Sequence, residues 1–60
     1  MISNYDKKHI SIILAGEGDW FTAKLLRLIA KADNNNLELL RSSFPKEVEA
    51  VENFWGGKSL

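Results

Sequence analysis

No cysteine occurs anywhere in the chain. For a polypeptide of 60 residues this is the tightest constraint on folding, because domains of such size often supplement a thin core with disulfides or a Cys-ligated zinc ion. Neither device is open here. Stability has to come from apolar side chains gathered on one side of well-capped elements, or from association with a second chain. The composition allows this: 45% of residues are hydrophobic and 27% charged, which is too apolar for a disordered polymer and ordinary for a globular domain.

Apolar spacing points to an all-α fold, a compact bundle of three or four short helices. Residues 1–7 are mostly polar and lack a helical repeat, so they read as a flexible N-terminal tail. Between Lys8 and Ala15, Ile10, Ile12, Ile13 and Leu14 suit either a short strand or a two-turn helix. Helix is preferred because no second strand candidate exists to pair with it, and Gly16 supplies its stop. Asp19 is the expected N-cap of a helix over Trp20–Ala32, with Trp20, Phe21, Leu25, Leu28, Ile29 and Ala32 inward, Leu26 widening the stripe, and Lys24, Arg27 and Lys31 opposite.

Asp33-Asn34-Asn35-Asn36 breaks that helix, and Asn35 with Glu38 resembles a capping box opening a short helix that Ser42 and Ser43 close. Pro45 fits the first turn of a last helix, in which Phe44, Val48, Val51 and Trp55 form an inward stripe and Gly56-Gly57 a stop. The expected organisation is a tail over 1–7, one helical domain over 8–56 and a C-terminal tail over 57–60.

Eight Lys and Arg balance eight Asp and Glu, so no chain-wide field attracts nucleic acid or anionic lipid. The apolar stretch Ile10–Ala15 is too short for a signal peptide or a membrane span, which favours a cytoplasmic protein with no membrane partner.

Catalytic and cofactor motifs are hard to assemble. His9 is the sole histidine and has no evident orienting partner, so neither a zinc cluster nor a Ser-His-Asp set can be built within one copy. Gly56-Gly57-Lys58-Ser59 ends like a phosphate-binding loop, but the first glycine of that motif would fall at Glu52 and a helix precedes it. Gly16-Glu17-Gly18-Asp19 is a turn rather than a cation loop, since Trp20, Phe21 and Ala23 stand where oxygen ligands belong. A non-enzyme without cofactor or small-molecule substrate is expected.

Two surfaces remain as candidates for binding. Leu26, Leu39, Phe54 and Trp55 are the candidate protein-binding residues: the adjacent aromatics Phe54 and Trp55 cannot both turn inward from one helix, and the two leucines flank their stripes. The partner would be another protein or a second copy, as in a homodimer. The alternative is a helix-turn-helix-like nucleic-acid binder using Lys24, Arg27, Lys31 and Arg41, since residues 20–41 carry four basic against two acidic side chains, net +2.

Gly-Asp-Trp-Phe-Thr-Ala at 18–23, Leu-Leu-Arg-Leu-Ile-Ala-Lys-Ala-Asp at 25–33 and Phe-Pro-Lys-Glu-Val-Glu-Ala-Val at 44–51 resemble small helical proteins encoded by bacteriophages and bacterial mobile elements. The resemblance spans roughly residues 16–55 and implies an all-helical fold in a bacterial host cell. It brings no activity with it.

Overall fold

Ser3-Asn4-Tyr5-Asp6 starts a helix where apolar periodicity gives no sign of one. In the computed structural model, which describes residues 2–55, α1 spans Asn4–Lys8. The Ser3 hydroxyl accepts from the Asp6 amide at 3.1 Å, and the Asp6 carboxylate accepts from the Ser3 amide at 3.3 Å and from its hydroxyl at 3.0 Å. This is a capping box closed by Asp instead of Glu. The tail expected over residues 1–7 is therefore helical from Asn4 onward.

The helix chosen over a strand near residue 10 exists as α2, Ile10–Leu14. It begins two residues later than expected because His9 interrupts the run. The Tyr5 carbonyl accepts from both the His9 amide at 3.1 Å and the His9 ring Nδ1 at 2.8 Å, so one residue ends α1 and opens α2. Since a carbonyl can only accept, Nδ1 carries the proton. Tyr5 is thus the orienting partner that sequence alone does not supply, and the two rings stack with centroids 4.0 Å apart.

Gly16 and Gly18 both take positive φ in the turn that follows. At Gly18 a side chain has no room, since a Cβ would lie 2.5 Å from Cζ3 of Trp20. The Trp20 indole covers that glycine and donates from Nε1 to Asp6 Oδ1 at 3.0 Å, which ties α1 to the start of α3 (Phe21–Lys31). The N-cap of α3 is Trp20, without a side-chain cap, and not Asp19.

A two-residue connection leads to α4, Asn34–Ser43, capped by Asp33, whose Oδ1 accepts from the Asn36 amide at 2.8 Å. The expected Asn35–Glu38 box does not form, because Asp33 provides the cap two residues earlier. Pro45 opens α5, Pro45–Phe54, as expected. The all-α class holds, with five helices among the described residues instead of three or four. The glycine stop at 56–57 and the tail over 57–60 lie outside the described residues.

The core is made of Ile10 and Ile13 from α2, Ala23, Leu25, Leu26 and Ile29 from α3, and Val48 and Val51 from α5. Helix α3 packs against both α2 and α5, α2 also touches α5, and α4 packs on α5. No residue of α4 is fully buried; Leu37 and Leu40, with Phe44 beyond its end, pack against the core from outside. The inward stripe of α5 holds at Val48 and Val51 but not at Trp55, which is half exposed.

Candidate functional site

Helix α3 carries more apolar width than a neighbour can cover. At 100° per residue its apolar side chains span roughly 220° of the helix circumference, whereas one buried face takes little more than half of that. Packing centres on Ala23, Leu26 and Ile29, so Phe21 and Leu28, expected inside, stay outside at 63% and 54% exposure. The small residues Thr22 and Ala23 are the sequence signal for this register, because close contact with α2 and α5 selects small side chains.

Phe21 and Leu28, two turns apart, share one face of α3, which looks toward α4 at one end and toward Phe44, at the α4–α5 junction, at the other. At the far end from the connection the Phe21 and Phe44 rings lie with centroids 6.4 Å apart. At the near end, Leu28, Lys31 and Ala32 stand across an open groove from Asn36, Leu39 and Leu40, enclosing about 530 Å³. Leu39 is 69% exposed, the most exposed of the large apolar side chains among the described residues. The groove arises because α3 and α4 form an antiparallel pair in which both helices pack on α5 more closely than on each other.

The candidate protein-binding residues part company in the structure. Leu39 lines the groove and is largely exposed. Leu26 has no exposed surface and belongs to the core, since the packed face of α3 is rotated toward it. Phe54 lies in a second groove of about 350 Å³, with Ile10, Ala50 and Asn53, rimmed by Lys7, Lys46 and Glu49. Trp55 follows it at the end of α5, and neither aromatic is turned inward. The four positions therefore do not make one surface.

The candidate basic stripe is broken in two places. Arg27 folds toward the preceding turn, where Nη1 donates to the carbonyls of Ile13 at 2.9 Å and Glu17 at 2.7 Å, and Nη2 to that of Gly18 at 2.6 Å. It holds the end of α2 and the glycine turn onto α3. Arg41 makes a two-point ion pair with Glu52 of α5, at 3.0 and 2.7 Å, and lies 3.6 Å from Glu38. That hydrogen bonding holds the Glu52 carboxyl below the usual carboxylate range and pushes the guanidinium of Arg41 up. Lys24 and Lys31 alone remain as outward cations of the set, seven residues apart along one edge of α3.

Among the described residues, no three His, Asp or Glu side chains converge on a point that could hold a metal ion. No helix there is long and apolar enough to cross a membrane. No protein-family model, curated protein or solved structure matches the chain.

Proposed function

We propose that the protein is a non-catalytic interaction module that binds another protein through the groove between α3 and α4. One observation carries this reading: Leu28 and Leu39, on opposite walls of a single channel, are each more than half exposed, and Phe21 continues the row along α3. Isolated surface leucines are commonplace, but a row of large apolar side chains beside a groove leaves area in water that a partner would remove. The nucleic-acid alternative has weaker support, because Arg27 and Arg41 spend their donors inside the fold. The resemblance over residues 16–55 suggests the cytoplasm of a bacterial host as the setting.

A photo-reactive amino acid placed at position 28 or 39 in the expressing cells tests the proposal. Discrete protein adducts should form from both positions and not from position 17, in the exposed turn on the other end of α3. Adducts of equal yield from all three positions, or none from the groove, would refute it.

A further inference from the structure

We infer that the groove between α3 and α4 accepts an amphipathic helix with an acidic edge. The inference rests on the proposed interaction role and adds the chemistry of the partner. The floor is apolar, built from Leu28, Ala32, Leu39 and Leu40, with Phe21 and Phe44 beyond one end. Such a channel between two helices suits the apolar face of a third, anchored at three- and four-residue steps.

Charge on the rim gives the partner its sign. Lys24 and Lys31 follow the outer edge of the Phe21–Leu28 line, about 10 Å apart along the axis at about 1.5 Å per residue. Among the described residues neither lysine forms an ion pair. The opposite rim, on α4, presents Asn35 and Asn36, which are neutral. The one carboxylate lining the groove, Asp33, sits at the α3–α4 connection, where its Oδ1 caps α4 and it keeps its negative charge. A helix lying in the channel with its acidic edge along α3 would therefore meet the two lysine charges on that edge, with the one negative charge of the groove, Asp33, confined to the α3–α4 connection. Glutamates seven residues apart would match the lysine pair. Electrostatic matching of this kind sets orientation and selects among partners with similar apolar faces.

The test uses two synthetic helical peptides with the same leucine register, one with glutamate at two edge positions seven residues apart and one with lysine there. Each is fluorescently labelled and titrated with the full chain, and anisotropy is read at low and high salt. The glutamate peptide should bind at least about ten-fold more tightly than the lysine peptide, and its advantage should shrink with salt as the rim charges are screened. In the double variant Lys24→Glu, Lys31→Glu the preference should reverse, and Leu28→Ser with Leu39→Ser should abolish binding of both peptides. Equal binding of the two peptides, binding of neither, or an unchanged preference after charge reversal would overturn the inference. So would tight binding of a DNA duplex that the same reversal abolishes, or a dimer in sedimentation that Leu28→Ser with Leu39→Ser dissolves. Groove-specific photo-adducts together with peptide indifference would sink the acidic partner and leave the interaction role standing.

Discussion

Arg27 shows how a side chain's partners override its charge. On an isolated helix it continues the line of Lys24 and Lys31, but three backbone carbonyls within 2.9 Å draw it to the preceding turn. Charge-assisted hydrogen bonds of this kind contribute about 1.5–3 kcal/mol each in favourable settings, less where water competes. Arg27→Ala should lower unfolding free energy by about 2 kcal/mol in a urea titration, and Arg27→Lys should recover only part, because an ammonium cannot span the same fork of acceptors. A variant as stable as the parent would show the brace to be idle. Glu47 is the opposite case: 2% exposed, with Oε2 lacking any hydrogen-bond partner among the described residues. Its place in the first turn of α5 favours negative charge by about 0.3–1 kcal/mol, whereas an unpaired buried polar group costs about 1–3 kcal/mol. Burial outweighs the helix end. Glu47→Met, close in volume and apolar, should therefore raise the melting temperature by about 4–8 °C for a gain of about 1 kcal/mol, and a lower value would mean that the carboxyl has a partner in solution.

The elements differ in how firmly they are held, and α4 is held least. It contributes no fully buried side chain, and its polar tie to α5 is the Arg41–Glu52 pair. Because the guanidinium lowers the pKa of Glu52 in the folded chain, the pair stabilises the fold at pH values above the ordinary carboxylate range. That contribution disappears as pH falls through the depressed folded value and Glu52 takes up its proton. Hydrogen exchange should find α4 amides opening before those of α3 and α5 at neutral pH, with the gap widening in acid after correction for intrinsic rates. Added salt should act in the same direction, since both partners are substantially exposed. Uniform exchange across the three helices at both pH values would contradict the ranking. The existence of α3, α4 and α5 is legible in the chain, because Pro45 and the Asn-rich break are local signals. The cap at Asp33 is not, because four consecutive turn-forming residues offer several equivalent caps, and tertiary packing chooses among them. Helix α1 is hidden for a different reason: its stabilisation comes from a capping box and an indole 14 residues away, neither of which produces apolar periodicity.

Some leucines hold the fold together and others stay in water. Periodicity alone puts Leu28 inward and Leu26 on a flank, and the packing is rotated the other way; a stripe covering more than half of a helix has no unique centre until its neighbours are in place. The exposure of Leu39 follows from a short α4 that packs mainly on α5. The basic stripe cannot be judged from the sequence, since the fate of Arg27 and Arg41 depends on carbonyls and a carboxylate brought in by folding. The distinction can be measured. At about 0.05–0.15 kcal/mol per residue a chain of this length has roughly 3–9 kcal/mol of stability in total. Truncating a fully buried leucine costs about 2–5 kcal/mol, so Leu26→Ala should remove about half of it and lower the melting temperature in circular dichroism. Leu39→Ala deletes a side chain that touches water over most of its surface, and should stay within about 0.5 kcal/mol of the parent while losing the groove's peptide binding. The two substitutions are chemically identical and lie on helices that share the same neighbour, α5. If Leu39→Ala proved as destabilising as Leu26→Ala, the groove would be closed in solution and the apolar row would belong to the core.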